Sequence, residues 1–189
     1  MPIRTFLALP LDEEILAGLD EAQRGLMGVG AQVRWVAGVN LHLTLKFLGD
    51  VQDADLSDVC EVARQIAAQV APFEFAVRGL ASVPPVGQMR MVWCGIEETT
   101  GRLAELAGLA EEAYAELGYK RELRPHTPHL TIGRVKGGRS IPELRHAVAG
   151  YAQAGFGVQF ATELIVFSSE LGREGPTYAP LAVAPLGRE

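Results

Sequence analysis

The sequence predicts a two-lobed fold of mixed strands and helices packed around a cleft. Three observations carry this. The composition is that of an ordinary globular chain: 189 residues, 48% hydrophobic and 21% charged, which excludes a disordered chain, a collagen-like fibre and a coiled coil. Strand-like and helix-like periodicities alternate, and their order restarts after the midpoint. A short motif, His-x-Thr, recurs at residues 42 and 129, an offset of 87. A half of about 90 residues is too small to bury a good core alone. The halves, roughly 1–86 and 87–189, should therefore pack as one bilobal domain over residues 1–189.

The elements follow in order. Residues 3–9, short and apolar before Pro10, read as a buried strand. Residues 12–27 open on Asp12-Glu13-Glu14, acid suited to a first helical turn, and Ile15, Leu16, Leu19, Ala22 and Leu26 recur at helical spacing. Residues 33–36 and 41–48 read as strands, with Gly49-Asp50 as a turn. Residues 53–70 form a second amphipathic helix, and Phe73 to Val77 alternate like a strand. Pro84-Pro85-Val86-Gly87 breaks the chain. Then come a strand over 90–96, a helix over 98–117 closed by Gly118, a strand over 129–135, a helix over 141–153 and two strand-like runs within 156–168. Shifting Phe6-Leu7-Ala8-Leu9 by 87 lands on Trp93-Cys94-Gly95-Ile96, strand on strand, so the halves look like an architectural repeat.

Charge and cysteine usage narrow the function. A net charge of -6 and a pI near 5.3 exclude a uniformly basic nucleic-acid coat but leave room for a local basic patch. Cys60 and Cys94 are too few for a disulfide framework or a zinc knuckle and read as small buried hydrophobes. No secretory leader and no apolar run long enough to span a membrane is expected, which makes the cytoplasm the default location. Gly25-x-x-Gly-x-Gly30 follows a helix and lacks Gly-Lys-Ser/Thr, so it is not read as a phosphate loop.

The two His-x-Thr strands carry the chemistry. Residues two apart in a strand point the same way, so His42 shares a face with Thr44, and His129 with Thr131. By the same parity Leu43, Leu45 and Phe47 face the core, and Lys46 joins the His/Thr face as a candidate phosphate contact. Two imidazoles and two hydroxyls converging in a cleft suit a phosphodiester. A neutral imidazole takes a proton from the attacking oxygen, and a protonated one gives a proton to the leaving oxygen. The hydroxyls donate to the non-bridging oxygens. No metal or cofactor is needed, and the chain offers no His-x-His, no His-Glu-x-x-His and no cysteine pair. One His-x-Thr alone is a weak signal; two in register are strong. Symmetry cannot say which histidine is the acid.

His42-Leu-Thr-Leu-Lys-Phe-Leu-Gly49 and Pro128-His-Leu-Thr-Ile-Gly-Arg134 resemble the paired motifs of the 2H phosphoesterase superfamily. The chain resembles most closely the RNA 2′,3′-cyclic phosphodiesterases, also called 2′-5′ RNA ligases. Arg4-Thr-Phe-Leu-Ala-Leu, Arg34-Trp-Val, Ser169-Glu-Leu and Gly175-Pro-Thr-Tyr178 extend the likeness over nearly the whole chain. The resemblance implies a bilobal α+β fold, with two antiparallel sheets lining the cleft and helices outside. It implies His42 as the general acid at the leaving 3′ oxygen and His129 as the general base on water. Thr44, Thr131 and Arg134 would hold the phosphate, and the product would be a 2′-phosphate end. The implied partner is an RNA end or a cyclic nucleotide. The alternatives are a small substrate such as an ADP-ribose cyclic phosphate, or an RNA-end binding module without turnover. A monomer is expected.

His126, three residues before His129, is a candidate for the cleft rim, and His146 reads as a surface histidine. Trp35 and Tyr178 are stacking candidates, whereas Phe47 is not. Lys120, Arg121, Arg124, Arg134, Lys136 and Arg139, opposed only by Glu122, form a candidate RNA phosphate track.

Overall fold

The computed structural model describes residues 2–173 and 175–187. Its elements are β1 (Ile3–Leu9), α1 (Glu13–Met27), β2 (Gln32–Trp35), β3 (Leu43–Val51), α2 (Leu56–Ala67), β4 (Phe73–Val83), β5 (Met91–Glu97), α3 (Arg102–Glu116), β6 (His129–Gly137), α4 (Ile141–Ala149), β7 (Gly155–Ala161), β8 (Glu163–Leu171) and β9 (Pro176–Pro185). Two antiparallel sheets result, ordered β3-β1-β8-β9 and β2-β6-β5-β4-β7. Helices α2 and α3 cover the outer face of the first sheet, and α1 and α4 that of the second. This is the α+β architecture the sequence implied.

The halves of the chain do not map onto separate lobes. Strand β4 of the first half lies beside β5 in the second sheet, and β8 of the second half lies beside β1 in the first. The helices cross as well: α1 follows a strand of the first sheet yet packs on β7 of the second, and α3 does the converse, packing on β3. Each half therefore completes the other's core. Leu7, Leu9, Leu43, Val59 and Leu106 belong to the same buried cluster as Val77, Val92, Leu130 and Leu144. Exchange solves the size problem, because neither lobe can exist without residues from both halves.

Most elements sit where periodicity put them, and β1 matches to the residue. Two differences have local causes. Gly49-Asp50 is no turn, because β3 runs on to Val51 with Gly49 at φ 78°, a conformation glycine adopts without strain. Strand β9 escaped the sequence reading. It carries Pro176, Pro180 and Pro185, and it is tolerated because it is the outermost strand, paired only with β8.

Both motif strands contain a β-bulge at the residue after the threonine. Ala8 opposes Thr44 and Leu7 opposes Lys46, which leaves Leu45 unopposed. In the second sheet Trp93 opposes Thr131 and Val92 opposes Gly133, which leaves Ile132 unopposed. The burial sequence is the same in both strands: buried, half-buried, buried, buried, exposed over residues 43–47 and again over 130–134. The second bulge is secured from the helix layer. Ile132 O accepts the backbone N–H of Val36 at 3.0 Å and the Nε2 of buried Gln23 at 2.8 Å, and Gln23 also donates to Val36 O at 2.9 Å.

Gln23→Leu keeps the apolar bulk but leaves Val36 O without that donor. We expect a loss of about 1–3 kcal/mol in unfolding free energy, measured by urea denaturation.

Candidate active site

The histidines are placed by the same device twice. His42 stands one residue before β3, and its Nδ1 lies 2.8 Å from Asn40 O. His129 opens β6, and its Nδ1 lies 2.7 Å from Thr127 O. A carbonyl only accepts, so each Nδ1 carries the proton and each Nε2 is left free for chemistry. Asn40 is itself tied down, since its Nδ2 donates to Pro176 O at 2.8 Å.

An aromatic ring backs each imidazole. His42 stacks on Phe6 with centroids 4.7 Å apart, and His129 on Trp93 at 3.6 Å. The supports come from positions two residues apart in register. Trp93 lies directly across from Thr131, where the first sheet has Ala8 across from Thr44. The small Ala8 lets His42 lean over to Phe6. The letter-for-letter match of Phe6 with Trp93 thus finds the right pair through a shifted register. Trp93 holds its place at a cost, because its buried indole N–H lacks a partner among the described residues.

Burial of these rings lowers both histidine pKa values below the ordinary 6.5. For His42 the loss of water outweighs the Asn40 carbonyl, which favours the charged form. For His129 desolvation again comes first, opposed by Thr127 O, and the positive fields of His126 and Arg134 add to the lowering. Neighbouring side chains therefore add to the lowering at His129 and not at His42.

Several contacts bring the two motifs together. The Nε2 of His126, exposed at the rim, lies 3.2 Å from Thr44 O. Tyr178 meets His42 edge-on at 5.2 Å, and its hydroxyl feels Arg134 and Arg4. Burial raises the Tyr178 pKa, and those two arginines oppose the rise. Thr44 and Thr131 are half-buried, and among the described residues neither hydroxyl is held by a protein group.

The bulges decide which neighbours reach the cleft. Lys46, expected beside the phosphate, points into the helix layer. Its side chain is 2% exposed, and its Nζ lies 2.7 Å from Glu111 and 3.0 Å from Lys120 O. Phe47, expected in the core, is instead 62% exposed on the histidine face, 5.7 Å from Phe6. One extra residue in the strand inverts the alternation beyond it, which is why the parity argument fails from Lys46 onward. The same inversion turns Arg134 into the cleft, where Nη1 lies 3.8 Å from Met91 Sδ. Trp35 is also corrected. It packs half-buried against the core on the Gly133 side, away from the histidines, because Gly133 leaves room for its ring. Its neighbour Arg34 takes the cleft side, opposite Arg134 and against Gly175. His146 is exposed on α4, and Cys94 is buried with its thiol pushed up to about 12. Phe6, Trp93, Arg4 and Arg34 are not among the site residues expected from the sequence, and Phe47 is expected in the core, although Phe6, Trp93 and Phe47 lie on aligned strands.

No helix among the described residues is long and apolar enough to cross a membrane. The LigT like Phosphoesterase profile matches residues 9–93 and again 95–178, one match per repeat. An RNA 2′,3′-cyclic phosphodiesterase of Methanothermobacter thermautotrophicus is 34% identical over 183 residues, covering 97% of this chain and 98% of that one. The enzyme of the same name from Archaeoglobus fulgidus is 34% identical over 181 residues, covering 96% and 99%. Among solved structures, a Thermus thermophilus protein superposes with a TM-score of 0.84 at 28% identity, covering 98% and 99%. Escherichia coli LigT complexed with 3′-AMP superposes at 0.79 and 26% identity, with the same coverage.

Because both histidines are depressed below 6.5, the unfolded chain binds more protons than the folded one just below that pH. Their contribution to stability is complete above 6.5 and is lost as pH falls through the folded-state values. Urea denaturation at descending pH should show that loss, and His42→Gln should reduce it. Proton NMR should place both titrations below 6.5.

Proposed function

The chain belongs to the LigT-like phosphoesterase family, and from that premise we propose that it hydrolyses 2′,3′-cyclic phosphate ends of RNA to 2′-phosphate ends. The observation that carries this is the pair of imidazoles, each with Nδ1 locked on a backbone carbonyl and Nε2 free. Relatives bearing the cyclic phosphodiesterase name span nearly the whole chain.

His129 acts as the base. The fields of His126 and Arg134 lower its pKa further and favour the neutral imidazole that proton abstraction needs. Nε2 takes a proton from water, and the water oxygen attacks phosphorus. The bond from phosphorus to the 3′ oxygen breaks, and Nε2–H of protonated His42 gives its proton to that oxygen. One proton enters the protein at His129 and one leaves at His42, so both must recover their starting protonation states through solvent before the next turnover. Thr44, Thr131 and Arg134 stabilise the charge gathering on the non-bridging oxygens. Acid and base each contribute roughly 10²–10⁴ in rate, about 3–5 kcal/mol. No step calls for a metal ion.

Phe47 offers its exposed face as a platform for the terminal base, beside the acid histidine, while Arg134 occupies the equivalent place in the other strand. Tyr178 closes the site over His42. His126 serves from the rim. Every group of the proposed site comes from one chain, so a monomer is sufficient for the reaction. An RNA substrate supports a cytoplasmic location.

His42→Ala and His129→Ala should each lower kcat on 2′,3′-cyclic AMP by roughly 10²–10⁴. EDTA should leave the activity unchanged, and the sole product should be the 2′-phosphate, identified by chromatography. An EDTA-sensitive activity, or one that survives both substitutions, overturns the mechanism. Phe47→Ala should raise KM by the worth of one base stack, about 1–3 kcal/mol or roughly 5–150-fold, while Phe47→Trp retains binding.

A further inference from the structure

The segment between α3 and β6 is long for a connection and has no regular structure over residues 120–128. It is nonetheless held at defined points. Strand β3 is the outer strand of its sheet, so its far edge presents unpaired backbone groups. The segment is held between that edge and α3 behind it. Lys120 O accepts the buried ammonium of Lys46, Glu122 N–H donates to Glu111 at 3.0 Å, and His126 meets Thr44 O. At its end, Thr127 O orients His129. The segment is thus anchored to the first motif strand and delivers the second histidine.

Its outward side is cationic. Lys120, Arg121 and Arg124 are exposed, and among the described residues none is in an ion pair. The one acid within it, Glu122, turns its carboxylate back onto the N–H of Arg124. Beyond the far end lies the opposite sign. Asp50, Asp55 and Asp58 surround a shallow hollow with Tyr119, whose pKa is raised by burial and then by Asp55 and Asp58. A polyanion leaving the histidines is drawn along residues 120–124 and repelled past 119.

We propose that this segment binds the phosphates of the nucleotides that precede the cyclic end, making a single-stranded oligonucleotide, and not an isolated cyclic nucleotide, the substrate the protein is built to hold. This rests on the phosphodiesterase reading given above. The reacting phosphate is the 3′ end, so the RNA can extend in one direction only. The Lys46–Glu111 pair has a positioning part, because it seats the loop without touching substrate.

The test compares wild type with Arg121→Ala/Arg124→Ala on a cyclic-phosphate-ended hexanucleotide and on 2′,3′-cyclic AMP. The ratio of kcat/KM for oligonucleotide over mononucleotide should fall in the variant. Losing two contacts to single-stranded phosphates should flatten the salt dependence by about 1.4 in log–log slope. Between 50 and 200 mM salt, wild type should therefore lose about sevenfold more on the oligonucleotide than the variant does. An unchanged ratio overturns the proposal, as does a fall in both substrates alike. It is also overturned if Arg4→Ala/Arg34→Ala flattens the slope and the loop variant does not. Fluorescence anisotropy with a labelled hexanucleotide ending in a 2′-phosphate separates the two readings. Binding with the expected slope difference but no turnover sinks the phosphodiesterase reading alone, and absence of binding sinks the loop.

Discussion

Each motif strand places one unopposed residue directly after its threonine, Leu45 in the first and Ile132 in the second. The site depends on this pair of bulges. In an unbroken strand, His129 and Thr131 would face the cleft while Arg134 faced the helices, and Phe47 would be core. The extra residue inverts the alternation. It brings Arg134 and Phe47 to the histidine face and sends Lys46 to Glu111. The two strands thus deliver different groups from one geometry: a cation in one half and a ring in the other.

A second constraint is the fixing of proton positions. The carbonyls of Asn40 and Thr127 settle the tautomers, and the rings of Phe6 and Trp93 hold the imidazoles flat while removing water from them. Loss of water lowers both pKa values, so the free protein keeps its histidines neutral more readily than an exposed imidazole. Asymmetry then comes from charge. His126 and Arg134 stand on the side of His129, and His42 is bordered by Phe6, Phe167 and Tyr178. In the proposed reaction, the bound phosphate would supply the negative charge that an imidazolium at His42 needs.

The exchange of strands and helices between halves gives this site its frame. Because β4 and β8 cross to the opposite sheets, the two halves of the chain cannot separate without unpairing strands. The segment before His129 adds a local tie along the β3 edge, where Lys46 is satisfied by Glu111 and a backbone carbonyl. A buried ammonium without such partners would be costly. The inverted strand creates that need, and the loop answers it.

Much of this was legible in the residues. The periodicities located β1 and the four helices, and the two His-x-Thr motifs named the candidate catalytic groups, because spacing along one chain is a local property. Resemblance added the acid and base roles that symmetry left open. Strand β9 was hidden by its prolines, since edge position is a property of the sheet. The bulges were hidden for a related reason: a residue is unopposed only relative to its partner strand, and nothing in Leu45 or Ile132 announces it. The misplacements of Lys46 and Phe47 arose there, and that of Trp35 arose from the room that Gly133 leaves on the neighbouring strand. The sequence by itself determined which chemistry the chain can perform, because titratable side chains and their spacing are written in it. Only the tertiary structure decided which neighbours serve that chemistry, because the face a side chain occupies depends on registers set between strands far apart in the chain.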